Sequence, residues 1–172
     1  MERLTRSQIV TALGRLNDRL RAVEKKAHVY LVGGAVMCLV HEVQSSTKDV
    51  DAWFTEPVYI RKAVKEVAEE LRLPEDWPND AAKGFIPGNA GFEAWQSFSH
   101  LDISVADDRT LLAMKCAAAR TAEDAEDIRF LVRHLKLSSS EQVLSIVTTY
   151  FPPERLPVRT RLLVEEIFHD RG

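Results

Sequence analysis

Val29 to Phe54 read V-Y-L-V-G-G-A-V-M-C-L-V-H-E-V-Q-S-S-T-K-D-V-D-A-W-F. An apolar run ends in Gly33-Gly34, a helix-compatible segment follows, and a second apolar run carries Asp49 and Asp51. Two carboxylates two residues apart on a strand project from one face, because side chains alternate with period 2, and they repel each other unless a cation lies between them. A diglycine at a strand-to-helix turn lets backbone approach a phosphate, and the helix start offers N–H groups and a positive dipole end. The stretch predicts a site for nucleotide phosphates and divalent metal. The alternative is a plain strand-to-helix turn beside two surface carboxylates.

Working outward, Ile9, Leu13, Leu16, Leu20 and Val23 recur at three- and four-residue steps and predict an amphipathic helix from Thr5 to about Lys26, with Thr5 or Ser7 as its N-cap. His28 to Val32 reads as a buried strand, Ala35 to Val43 as a short buried helix, and Ser45-Ser46-Thr47 as a polar turn. Asp49 to Phe54 reads as a second strand. Pro57 opens a helix to about Arg72 with Ile60, Val64, Val67, Ala68 and Leu71 on its apolar stripe. Residues 73–91, rich in Pro and Gly, predict a long irregular connection. Phe92–Phe98 and His100–Ala106 read as strands, the second carrying Asp102. Helices follow from Asp107 to a break near Thr121, from Asp124 to Leu135, from a cap at Ser139 to Tyr150, and from Leu156 to His169, the last with Leu162, Leu163, Ile167 and Phe168 on its apolar side.

This order predicts an α/β (α+β) fold, a small mixed sheet flanked by helices and followed by helical chain. Residues 1–137 are expected to form the core with its N-terminal helix, and residues 138–172 a helical C-terminal extension. A chain of 172 residues, 45% hydrophobic, suffices for one substantial core. The net charge of -3 argues against blanket nucleic-acid binding, although residues 1–30 hold seven Lys/Arg against three Asp/Glu. That basic helix is either a surface for an acidic partner or an ordinary solvated face. Cys38 and Cys116 have no metal-ligand spacing or disulfide framework and predict small buried groups in a reducing interior. No signal-type segment opens the chain, and no apolar run approaches the ~20 residues of a membrane span, so a soluble cytoplasmic protein is expected.

The diglycine after a strand, the helix, the Asp-x-Asp strand and a later strand with one more Asp resemble the nucleotidyltransferase superfold built around polymerase-beta-like palms. Thr47 before the Asp pair, Trp77-Pro78-Asn79-Asp80-Ala81-Ala82-Lys83, Leu111-Leu112-Ala113-Met114-Lys115 and Asp124-Ala125-Glu126-Asp127-Ile128 are similar to small bacterial nucleotidyltransferases related to abortive-infection and toxin-antitoxin proteins. The resemblance covers residues 28–137. It departs from that pattern at Ser45, where relatives often carry Arg.

The resemblance implies transfer of a nucleoside monophosphate from a nucleoside triphosphate to an acceptor, with Mg²⁺ or Mn²⁺ as cofactor. Asp49, Asp51 and Asp102 would be the metal ligands, since carboxylates holding such ions activate a hydroxyl and neutralise phosphate charge. Gly33 and Gly34 would cradle the triphosphate, with Ser46 and Thr47 as hydroxyl neighbours. In such a family a lysine at Lys115 faces the triphosphate, with Arg120 nearby on the chain. Asp124 and Asp127, neighbours on one helix face, would orient these cations or touch the substrate, or simply complement a helix start. Asn79, Asp80 and Lys83 would contact base or ribose. The implied biology is a toxin or phage-defence component acting on tRNA or a protein hydroxyl and paired with a cognate antitoxin. Two alternatives stand beside it: an antitoxin that adenylylates its partner toxin, and a silent nucleotide-binding module.

Overall fold

In the computed structural model, which describes residues 3–119 and 122–169, the chain begins with a reciprocal cap. The Gln8 amide N–H donates to the Thr5 hydroxyl, and the Thr5 N–H donates to the Gln8 side-chain oxygen at 2.8 Å. The pair satisfies two of the N–H groups that a helix start leaves without partners. Helix α1 (Arg6–Ala22) follows and buries Ile9, Leu13, Leu16 and Leu20 completely. It stops earlier than its periodicity predicts. Glu24 takes a left-handed conformation at φ 52°, and the Lys25 N–H reaches back to the Leu20 carbonyl, so Val23 falls outside the stripe and is 49% exposed.

The described residues form seven α-helices and a small mixed β-sheet, and they divide into two compact units. The first takes in the described chain up to Gly84 together with Phe92–Ala106, and the second takes in Phe85–Gly91 and the chain from Asp107 on. The units divide after Ala106, whereas the sequence places a boundary after residue 137. The helices on either side of residue 137 contact one another as one bundle.

In the first unit, a two-stranded pair joins β1 (Leu4–Thr5) to β3 (Ser46–Thr47), and a four-stranded sheet is built around β2 (Ala27–Leu31). The first pair corrects the expected turn at residues 45–47. Arg3 holds it, donating to the Ser46 hydroxyl at 3.0 Å and to its carbonyl at 2.7 Å. Helix α2 (Gly34–Leu39) leaves β2 through Gly33, and β4 (Ala52–Phe54) returns antiparallel to β2, Leu31 pairing with Ala52. The strand expected from Asp49 begins only at Ala52, because β2 ends where Gly33 turns and leaves the residues before Ala52 little ladder to join. Asp51 still passes its carbonyl to the Val32 N–H at 3.0 Å.

Helix α3 (Pro57–Leu71) starts on its proline and buries Ile60, Ala63, Val64, Val67 and Ala68. It packs against α1, and Arg15 and Arg19 reach Glu70 at 3.2 and 2.8 Å across the joint. A single 3₁₀ turn at Ala81–Phe85 interrupts the irregular connection. Strands β5 (Phe92–Ser97) and β6 (Leu101–Ala106) form an antiparallel hairpin, and β6 runs parallel to β2, giving the order β4-β2-β6-β5. Alternation sends Val29, Leu31, Ile103 and Val105 inward. On the opposite face Tyr30 stacks on His28 at 4.1 Å and on Trp53 at 4.7 Å between ring centroids.

In the second unit α4 (Asp108–Ala118) is capped by Asp107, which accepts from the Thr110 N–H at 2.7 Å. Helices α5 (Ala122–His134), α6 (Ser140–Tyr150) and α7 (Val158–His169) complete the bundle, α4 packing on α5 and α6, and α6 on α7. Ser139 caps α6 as expected from sequence, but the Gln142 side chain returns to the Ser138 N–H instead of to that of Ser139. On α7, Ile167 is buried as expected, but Thr160 and Val164 are buried beside it and Leu162, expected on the apolar side, is 60% exposed. The buried Thr160 hydroxyl takes the place of an apolar group by donating to the Cys116 carbonyl at 2.8 Å. No helix among the described residues is long and apolar enough to cross a membrane.

Replacing Thr5 with Ala removes the cap of α1 and is expected to cost about 1 kcal/mol in chemical denaturation. Leu16→Ala, which empties a fully buried position, is expected to cost about 2–5 kcal/mol in the same measurement.

Candidate functional site

Two clusters of the expected residues form, one in each unit. In the first, Gly33 sits at φ 64° and ψ -140°, a conformation that residues with a Cβ rarely adopt, and its carbonyl accepts from the Val36 N–H at 3.2 Å. Its neighbours add a steric reason for glycine. A Cβ on Gly33 would lie 3.3 Å from Oδ2 of Asp51, and one on Gly34 would lie 2.6 Å from the Thr47 hydroxyl. The diglycine turn therefore packs directly on the segment that carries the Asp pair. Helix α2 has six residues, so any dipole at its start is that of a short helix.

Thr47 is 4% exposed and makes a tight local turn, donating its hydroxyl to the Asp49 carbonyl at 2.9 Å. That turn leaves Asp49 exposed and Asp51 half-buried, with Val50 and Ala52 buried on either side of Asp51. Asn79 forms a parallel bridge with Asp51, and its Nδ2 lies 3.4 Å from Oδ1 of Asp51. Ser46, expected beside the triphosphate, is engaged by Arg3 in the β1–β3 pair. Lys83 is exposed in the 3₁₀ turn beyond Asn79.

Asp102 does not join this cluster. It pairs in register with His28, whereas the Asp51 carbonyl receives the Val32 N–H, so their levels on β2 differ by four residues. Four steps along a strand amount to roughly 13 Å and the two strand spacings between β4 and β6 to roughly 10 Å at right angles, a separation of roughly 16 Å. No group of three His, Cys, Asp or Glu ligand atoms within 4.8 Å of one another includes Asp49, Asp51 or Asp102 among the described residues. Asp102 is exposed and accepts a hydrogen bond from the Ser97 hydroxyl. Strand register, which periodicity does not reveal, sets Asp102 at the other end of the sheet from Asp51, away from the other two members of the expected triad.

The second cluster joins α4 to α5. Lys115 Nζ lies 2.7 Å from Oδ2 of Asp127, which is fully buried, and 3.1 Å from Oδ1 of Asp124. Burial by itself would lower the pKa of the Lys115 ammonium, but the hydrogen bonds and charges of Asp127 and Asp124 more than offset it and the net shift is upward. Lys115 is thus a firmly protonated cation held between two carboxylates. Arg120 lies outside the described residues. Both cysteines are buried, and desolvation pushes the Cys116 thiol up to about 12, so neither site contains a reactive thiolate.

The chain matches no protein-family model, no curated protein and no solved structure. The site therefore rests on its own chemistry. Asp49 and Asp51 supply oxygen donors, which suit a hard divalent cation such as Mg²⁺ that takes one or two carboxylates and completes its shell with water and phosphate oxygens. Asp51 is half-buried, and its Oδ2 lies against the glycine turn so closely that a Cβ on Gly33 would stand 3.3 Å from it. Sequence reasoning placed Asn79 near base or ribose and missed its contact with Asp51, which arises from a bridge between segments 28 residues apart and has no local signal.

Lys115→Met takes the ammonium from beside the buried Asp127 carboxylate and is expected to cost about 3–5 kcal/mol, measured by urea denaturation. Because the folded pKa of Lys115 is raised, its stabilisation is complete below the unfolded lysine value of ~10.4 and is lost as pH rises through the folded value. Between those two values, stability of the wild-type chain should decline more steeply with rising pH than that of Lys115→Met.

Proposed function

We propose that the chain is a Mg²⁺-dependent nucleotidyltransferase of the polymerase-beta-like palm class, moving a nucleoside monophosphate from a nucleoside triphosphate to an acceptor hydroxyl. The observation that carries the reading is the direct packing of the Gly33-Gly34 turn on Asp51 and Thr47. Backbone that approaches closely, beside oxygen ligands for a cation, is what a polyphosphate with its counter-ion requires.

Asp49 and Asp51 would hold the metal, which when bound lowers the pKa of the attacking hydroxyl and neutralises phosphate charge. In the reaction the acceptor hydroxyl would give up its proton to water, its oxygen would bond to the α-phosphorus, the bond from that phosphorus to the bridging oxygen would break, and pyrophosphate would leave with the electron pair. The Thr47 turn fixes the backbone at Asp49, and the glycine turn keeps bulk away from the Asp51 carboxylate. The acceptor we favour is tRNA or a protein hydroxyl, in a toxin-antitoxin or phage-defence setting.

One observation favours a second reading, a nucleotide-binding module without transfer. The register that removes Asp102 from the cluster leaves two carboxylates where the transfer reading expected three. The experiment that separates the two incubates the protein with each labelled nucleoside triphosphate, Mg²⁺, total tRNA and cell lysate. Transfer predicts label on RNA or on one protein, with a loss of about 100-fold or more in Asp51→Asn, the size of the several kcal/mol a metal ion supplies. Nucleotide binding with no labelled product identifies the module, and equal labelling by wild type and Asp51→Asn removes the metal assignment.

A further inference from the structure

We infer that Asn79 is the positioning residue of the Asp51 carboxylate, an inference that rests on the metal-binding role of Asp51 proposed above. Strand β4 lies at the edge of its sheet, and the segment after α3 pairs with the start of that edge at Asp51 and Ala52. The Asn79 N–H donates to the Val50 carbonyl at 2.8 Å, and the Ala52 N–H donates to the Asn79 carbonyl at 2.9 Å. These two backbone bonds bracket Asp51, one on each side. Trp77, 2% exposed, anchors the segment before Asn79, and the ion pair between Asp80 and Arg61 of α3 ties it down immediately after.

The Asn79 side chain is fixed as well. Its Oδ1 accepts from the Ala81 N–H at 2.9 Å, so the amide oxygen must face Ala81 and the NH₂ group must face Asp51. Nδ2 accordingly addresses Oδ1 of Asp51 at 3.4 Å, a loose contact of the kind that shortens when a site is loaded. On the other side, Oδ2 of Asp51 faces the Gly33 turn. One carboxylate oxygen is turned toward an amide and the other toward the glycine turn that would receive phosphate and metal. An outer partner of this type restricts the rotation of a ligand carboxylate, and its loss typically weakens metal binding about 10- to 100-fold.

The test uses Mn²⁺ alone, with its unbound fraction read by electron paramagnetic resonance and no nucleotide or turnover required. Asn79→Ser retains an oxygen for the Ala81 N–H and both backbone bonds while removing the NH₂ group that faces Asp51. Expected is a 10- to 100-fold weaker Mn²⁺ affinity with a melting temperature close to wild type, and no further weakening when Asn79→Ser is added to Asp51→Asn. A purely structural role would instead lower the melting temperature and add its effect to that of Asp51→Asn. Asn79→Ser binding Mn²⁺ as tightly as wild type, while Asp51→Asn binds weakly, overturns the positioning role and leaves the metal site standing. Asp51→Asn binding as tightly as wild type overturns both.

Discussion

The register of β2 is the constraint on which the first unit depends. β2 pairs antiparallel with β4 on one side and parallel with β6 on the other, so the level of residues on both neighbours is counted along it. Gly33, in its left-handed conformation, ends β2 at a fixed point, and the residue of the returning chain that comes level with that end is Asp51. Its packing against Gly33 makes the turn and the carboxylate a single feature. The cluster lies at the carboxyl end of β2. The same counting places Asp102 beside His28, at the opposite end.

Edge protection and site construction are joined in the cover over β4. A strand edge with free N–H and C=O groups invites pairing with other chains, and short edge strands or covering segments suppress it. β4 has only three residues, and Asn79 bonds to the backbone on both sides of Asp51 just before it. Covering the edge with a segment that carries an amide side chain also brings a hydrogen-bond donor to Asp51. Sealing the sheet and orienting the carboxylate follow from one chain path.

Much of the fold was legible because its signals are local. The stripes of α1 and α3, the alternation in β2 and β6, and the caps at Thr5 and Ser139 follow from neighbours within a few residues. The two-residue pair of β1 with β3 was not legible, since its partners lie about forty residues apart and two residues carry no periodicity. Leu162 shows the limit of hydrophobicity as a guide, because Thr160 occupies a buried position by hydrogen bonding to the Cys116 carbonyl. In the site, alternation told which face Asp102 would share but not its level along the sheet. The meeting of Lys115 with Asp124 and Asp127 was partly legible, because three-residue spacing on α5 already put both acids on one face.

The corrected donor set changes how metal and nucleotide would bind. Thr47 uses its hydroxyl hydrogen on the Asp49 carbonyl, so it holds the turn in shape and has no O–H to offer a phosphate. Two carboxylates occupy at most a few of the six positions that Mg²⁺ demands, and the remainder fall to water and phosphate oxygens. A metal held this way is weakly bound alone and more firmly bound when a polyphosphate supplies further oxygens, and by reciprocity the metal strengthens nucleotide binding by the same factor. On the proposed reading the glycine turn would bring its backbone close to the phosphates beside Asp51, and the selectivity of the site would reside in the metal–phosphate unit more than in either component.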